Sequence, residues 1–246
     1  MRKILFWPYQ IYAWLIFMPL VLVLTFFAST LSVLFAIVVN PNWASRYIAS
    51  PWARLLALIT PVFVTVMGEA NARKDQSYVV VANHQSQYDI LILYGWLDLD
   101  LKWVMKKELR KVPGIGIGCE KVGHIFVDRR NPSSAKQAIA DALNRLGNGV
   151  GILFFAEGTR SLDGRLLPFK KGAFATAIEQ GLPVLPVTIN GTHDVLPAKT
   201  LRIFPGKVEL VIHPEISTVG MGKADLRQLL DETSTVIQAA QPESLR

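Results

Sequence analysis

Cysteine is nearly absent from this chain: Cys119 is the single one among 246 residues. An internal disulfide is therefore excluded, which fits a reducing compartment. The glycine-rich signatures of nucleotide enzymes are also missing. No Walker A sequence occurs, and Pro113-Gly114-Ile115-Gly116-Ile117-Gly118 does not complete G-x-G-x-x-G. Its glycines read instead as points of close backbone packing. There is no G-x-S-x-G elbow, which weighs against covalent catalysis through such a serine. Histidine is scarce, and His84, His124, His193 and His213 show no metal-ligand spacing, so no metal site is expected. Internal repeats and low-complexity linkers do not occur either.

Charge is missing from one long stretch. After Arg2 and Lys3, no charged residue appears from Ile4 to Ser45, and the apolar part runs from Trp7 to Val39. A signal peptide has an apolar region of only about 7–15 residues and a small-residue cleavage site, and neither is seen here. As a helix the run would reach about 45–50 Å, against a hydrocarbon layer of about 30 Å. Asn40-Pro41-Asn42 interrupts it. A second segment, 43–59, carries Arg46 and Arg54 among Trp43, Tyr47 and Trp52. Arginine stems and aromatic rings suit the headgroup layer. Positive residues bracket the apolar run, which places both ends on the cytoplasmic side. A helical hairpin dipping into one leaflet meets that requirement; a single-span anchor is the alternative. Residues 1–60 are thus expected to be membrane-anchoring helices and 61–246 a separate globular domain.

What is plentiful agrees with a membrane surface. The chain is 51% hydrophobic with a net charge of +7, a mean hydropathy of +0.31 and a pI near 9.6. A basic protein whose apolar excess sits in one segment fits anionic lipid better than nucleic acid.

From Pro61 the pattern becomes that of a globular domain. Val62, Val64 and Val66 alternate as in a half-buried strand. Short apolar runs at 78–82, 101–105, 122–127, 150–155, 184–189 and 207–212 read as further strands. Helices are expected over 90–96, 106–112, from Asn131-Pro132 to Gly147, after Gly172 to about 180, and over 224–240. Strands alternating with helices predict an α/β fold, with a mixed, largely parallel sheet flanked by helices.

Two strand ends carry chemistry. Asn83-His84-Gln85-Ser86-Gln87-Tyr88-Asp89 lies between the strand at 78–82 and the next helix. Residues five apart on a straight helix point roughly 140° apart. For the two to meet, His84 must lie in the turn and Asp89 in the first helical turns, facing back. That is the geometry of a base and its orienting carboxylate. Glu157-Gly158-Thr159-Arg160 follows the strand at 150–155. Gly158 lets the backbone turn its N–H groups outward, Thr159 adds a hydroxyl, and Arg160 offers a planar fork that matches a phosphate. In open α/β sheets sites form at the carboxyl ends of strands, so the two segments are expected to share a pocket.

Four blocks in order, Asn83-His84-x4-Asp89, Phe126-Val127-Asp128-Arg129, Phe155-Ala156-Glu157-Gly158-Thr159-Arg160-Ser161 and Leu182-Pro183-Val184-Leu185-Pro186-Val187, together resemble the glycerolipid acyltransferase family. Within it the likeness is greatest to the bacterial 1-acylglycerol-3-phosphate acyltransferases. The resemblance implies that His84 and Asp89 are the catalytic pair. It implies that Glu157, Gly158, Thr159 and Arg160, with Arg129, hold the acceptor's phosphate, and that Lys106 is a further basic position. It implies transfer of an acyl group from acyl-CoA or acyl carrier protein to the sn-2 hydroxyl of lysophosphatidic acid, with no cofactor, at the cytoplasmic face of a membrane. Lys170 and Lys171 then read either as contacts for the donor's phosphates or acidic carrier, or as a solvated helix start. Histidine, with an ordinary pKa of about 6.5, can take the hydroxyl proton near neutral pH. Another lyso-lipid acceptor, such as a lyso-ornithine lipid, is the enzymatic alternative. A purely lipid-binding protein is the other, and it would have no need of the His84/Asp89 pair.

Overall fold

The computed structural model describes residues 6–39, 44–112, 115–128, 131–146 and 149–246. Helix α1 is a rod of 33 residues, Phe6–Val38, carrying one π-turn at Ala13–Phe17. Only a small share of it is covered by protein: Trp7, Leu15, Leu22 and Phe26 are among many exposed apolar side chains. Water is a poor solvent for so large an apolar surface. Helix α2, Ser50–Ile59, opens with Pro51 in its first turn, where the missing N–H costs nothing. It buries Ala53, Leu56 and Ala57 and leaves Leu55 and Leu58 outward. The Tyr9 and Tyr12 hydroxyls donate to the carbonyls of Thr60 and Ile59 at 3.1 and 2.9 Å. The start of α1 therefore meets the end of α2. The expected turn at Asn40-Pro41-Asn42, like Arg2 and Lys3, lies outside the described residues.

Seven strands follow: β1 (Val62–Met67), β2 (Tyr78–Ala82), β3 (Asp100–Lys106), β4 (Ile125–Val127), β5 (Val150–Phe155), β6 (Val184–Asn190) and β7 (Gly206–Ile212). Their order in the sheet is β1-β7-β6-β2-β5-β3-β4. Every neighbouring pair is parallel except β6 with β7. Central β2 is buried at every residue, as its unbroken apolar sequence requires of a strand covered on both faces. Val80 and Ala82 point into one core with α2 and α3 (Tyr88–Trp96). Val79 and Val81 point into the other, against α6 (Gly172–Gln180) and α8 (Leu226–Ala239). This is the two-residue alternation of a strand. Helix α5, Pro132–Leu146, covers β4 and β5 on that second face. Its first turn is capped by Asn131, whose Oδ1 accepts the Ser134 N–H at 3.1 Å.

The region between β3 and β4 departs from expectation. Residues 107–111 form a short 3-10 turn rather than an α-helix. Helix α4, Ile115–Lys121, absorbs the glycine-rich stretch, and the strand begins at Ile125 rather than at Val122. Gly123, at φ 93°, makes the turn between them. A Cβ on Gly118 would sit 2.6 Å from Ser29 Oγ of α1, so this glycine does permit close packing.

Candidate active site

The site is built on the carboxyl edge of three adjacent strands, β6, β2 and β5. Asn83, just past β2, clamps the end of β6: its Nδ2 donates to the Ile189 carbonyl at 2.9 Å, and its Oδ1 accepts the Ile189 N–H at 2.7 Å. The chain then turns through His84 and enters α3. Asp89, in the first turn of α3, is completely buried. Its Oδ2 accepts the His84 Nδ1–H at 2.7 Å and the amides of Gln85 and Ser86 at 2.8 and 2.9 Å. Its Oδ1 accepts the Thr192 hydroxyl. An ionised carboxylate only accepts, so Nδ1 is the protonated nitrogen and Nε2 is left with its lone pair. The imidazole lies flat on the Phe155 ring, with centroids 3.7 Å apart and planes 10° apart. The side chain stays 13% exposed, enough for a substrate atom to reach it.

Thr192 opens α7, Thr192–Val195, directly after β6. Gly191 places it there at φ 90°, where a Cβ would fall 2.3 Å from the Lys207 carbonyl oxygen. Sequence reasoning missed Thr192, which is far from Asp89 in the chain. The available signal was its position: a hydroxyl at the end of a strand, on the edge where the other site segments end.

The loop after β5 holds His84 by its main chain. Glu157 Oε1 accepts the His84 N–H at 2.6 Å, and the Ser161 N–H donates to the His84 carbonyl at 2.8 Å. Glu157 Oε2 accepts the Leu167 N–H at 2.9 Å. Both carboxylate oxygens thus face the protein's own backbone, and the residue is only 3% exposed. Burial pushes the Glu157 carboxyl up to about 7; the two amides pull it back, and the nearby charge of Asp89 adds to the rise. Glu157 therefore braces the turn that carries His84.

Gly158 is in the left-handed region at φ 73°, and a Cβ there would meet Lys170 Nζ at 2.5 Å. Thr159 is exposed and Arg160 half-buried on the same loop. Lys106 ends β3, one strand beyond β5; it is exposed and 3.4 Å from Glu108. The structure thus brings His84, Asp89, Glu157 and Gly158 together, with Arg160 two residues further along the same loop, and sets Lys106 at the periphery of this edge. Arg129 lies outside the described residues. Its neighbour Asp128 lines a cavity of about 490 Å³ bounded also by Trp103, Phe155, Gly158 and Lys170.

The other titratable groups are placed as structure. His124 is held between Tyr94 and the Trp103 amide, and burial pushes it down to about 3. His213 pairs with Thr188. Burial pushes the Cys119 thiol up to about 11, which makes it a poor nucleophile. Among the described residues no three His, Cys, Asp or Glu side chains converge as metal ligands.

A family model described as acyltransferase matches residues 63–190, from β1 to the end of β6. The chain belongs to the acyltransferase family. The crystal structure of the 1-acyl-sn-glycerophosphate (LPA) acyltransferase PlsC from Thermotoga maritima superposes with a TM-score of 0.78 and 32% identity, covering 97% of this chain and 95% of that one. The chloroplastic 1-acyl-sn-glycerol-3-phosphate acyltransferase BAT2 of Brassica napus is 37% identical over 78% of this chain and 54% of its own length. The alpha 1-acyl-sn-glycerol-3-phosphate acyltransferase of mouse is 34% identical over 68% of this chain and 60% of its own. The chain spans little more than half the length of these curated relatives. They come from plants and mammals, so the bacterial subgroup expected from the sequence is not singled out. The mixed sheet with flanking helices and the apolar amino-terminal helix are as the sequence led one to expect.

Proposed function

We propose that this protein is a membrane-bound acyltransferase that converts lysophosphatidic acid to phosphatidic acid, using His84 as general base. The carrying observation is the His84–Asp89 pair with a lone pair left on Nε2, set in a fold whose matched relatives bear that activity in their names. The acceptor's sn-2 hydroxyl approaches Nε2. As its oxygen bonds to the thioester carbon, the proton passes to Nε2, and the buried Asp89 carboxylate stabilises the imidazolium. The tetrahedral intermediate collapses, the C–S bond breaks, and the imidazolium returns its proton to the departing thiolate. No oxidation state changes, so neither step requires a redox cofactor.

Arg160, with Arg129 and Lys106, would hold the acceptor's phosphate, for which a guanidinium fork is well suited. Lys170 and Lys171 would serve the donor, acyl-CoA or acyl carrier protein. The exposed apolar face of α1 supports attachment to one leaflet, with the catalytic domain on the cytoplasmic side where thioester donors are made. The deciding assay presents the purified full chain in lipid vesicles with a panel of labelled lyso-lipids and both donors. Labelled phosphatidic acid, lost in His84→Ala, is the expected product. Transfer only to a lyso-lipid without a terminal phosphate would overturn the assignment of the acceptor.

A further inference from the structure

The loop between α7 and β7 carries a run of four exposed residues, Lys199, Thr200, Leu201 and Arg202. Leu201 is 64% exposed, while the next apolar residue, Ile203, is 2% exposed. The loop is fixed to the first turns of α1. Gln10 Nε2 donates to the Ile203 carbonyl at 2.6 Å and Gln10 Oε1 accepts its N–H at 3.3 Å. The Phe6 and Phe204 rings are 5.9 Å apart, and the Arg202 guanidinium lies 6.0 Å from the Phe6 ring. Ile203 completes a small core with Ala13 and Phe17 of α1.

We propose that Lys199–Arg202 is a second lipid contact, docking on an anionic leaflet beside α1. The inference rests on the reading of α1 as the membrane-bound element. Three observations carry it. Trp7, Ile11 and Leu15, on the same turns of α1 that grip the loop, are exposed apolar side chains, as is Leu201. Lys199 and Arg202 flank Leu201, and neither makes an ion pair with a carboxylate among the described residues. An apolar side chain between two cations matches an acyl boundary beneath acidic headgroups. The contact is also close in sequence to the chemistry. The loop follows Leu196, whose carbonyl accepts the Ser86 hydroxyl at 2.7 Å, and α7, which supplies Thr192 to Asp89. Docking it would fix the height of His84 above the headgroups by a short, hydrogen-bonded path.

The test uses the full chain with Cys119→Ser, reconstituted in phosphatidylcholine vesicles with or without phosphatidylglycerol. A polarity-sensitive fluorophore is placed through Leu201→Cys or, separately, through Leu15→Cys, and quenched by lipids labelled at shallow acyl depth. Both positions should be quenched, position 201 more strongly with phosphatidylglycerol. Each cation near an anionic surface contributes roughly a fivefold factor. Adding Lys199→Gln and Arg202→Gln should therefore shift the docking equilibrium at 201 by about 25-fold and leave position 15 unchanged. Quenching at 15 with a water-like signal at 201 would overturn the second contact while α1 stays in lipid. A water-like signal at both would overturn the membrane reading itself. Quenching at 201 that ignores lipid charge would overturn the anionic preference. Shielding of 201 by acyl carrier protein, without vesicles, would assign the loop to donor docking instead.

Discussion

The Glu157 carboxylate accepts the backbone amide of His84 at 2.6 Å, joining the loop after β5 to the turn after β2. Its other oxygen holds Leu167, so one buried acid ties three segments together.

That acid makes stability depend on pH. Its folded pKa, about 7, lies above the ordinary carboxyl value. Between the two values the folded chain binds a proton that the unfolded chain does not. Stability therefore falls as pH rises through this window and levels off above about 7. The total change from this group is on the order of 3 kcal/mol. Melting in detergent at pH 5, 6, 7 and 8 should show the slope, and Glu157→Gln should flatten it. Glutamine also sets an NH2 group against one of the two amides, so kcat should fall roughly 10- to 100-fold, the equivalent of one charged hydrogen bond. A slope retained in Glu157→Gln would place the titration elsewhere.

His84→Ala should lower turnover by about 10²- to 10⁴-fold, the range for a general base, with the fold intact. Thr192→Val keeps the shape but removes the hydroxyl from Asp89 Oδ1; turnover should drop about tenfold, with Thr192→Ser close to the parent. Circular dichroism beside steady-state kinetics separates these losses from misfolding. Near-normal turnover in folded His84→Ala would exclude it as the base.

Arg160→Ala should raise the acceptor KM more than the donor KM. Arg160→Lys should restore only part of the loss, because an ammonium cannot pair with a phosphate in two places. Varying each substrate in turn checks this. A donor KM that rises alone would move Arg160 to the donor's side of the site.

Removing residues 1–60 should release much of the domain from membranes and strongly reduce activity on membrane-embedded acceptor. Topology is read by a cysteine at Asn42 in a Cys119→Ser background. A hairpin dipping into one leaflet would leave that position unlabelled from outside intact cells. Ready labelling from outside would favour a true span.

The parts legible in sequence were those dictated locally. β5 and β6 were readable because each is a short apolar run closed by turn residues. For His84 and Asp89, helix geometry set the condition for a meeting, with His84 in the turn and Asp89 facing back, and the family resemblance implied the pair. β4 was misjudged at its start because Val122 is a buried-strand type of residue like Ile125 and Val127, while the turn at Gly123 separates it from them. The direction of the Glu157 side chain was not legible. A carboxylate between a strand end and a glycine looks presented to solvent, and only the His84 and Leu167 amides, brought by the sheet, show that it faces inward. Thr192 was hidden for the same reason: its partner is supplied by strand order and not by neighbouring residues.

Strand order also bears on how the chain comes to be made. β1 sits at the margin of the sheet and pairs with β7 alone, Val62 opposite Gly206 through Met67 opposite Val211. A ribosome delivers β1 early and β7 last among the strands, so the first strand waits through most of synthesis with both edges open. Distant parallel pairing of this kind is slow, and open edges invite pairing with other nascent chains. α1 emerges before any of this. A helix that enters lipid at birth would keep each growing chain apart from its neighbours until Gly206–Ile212 arrives to close the edge.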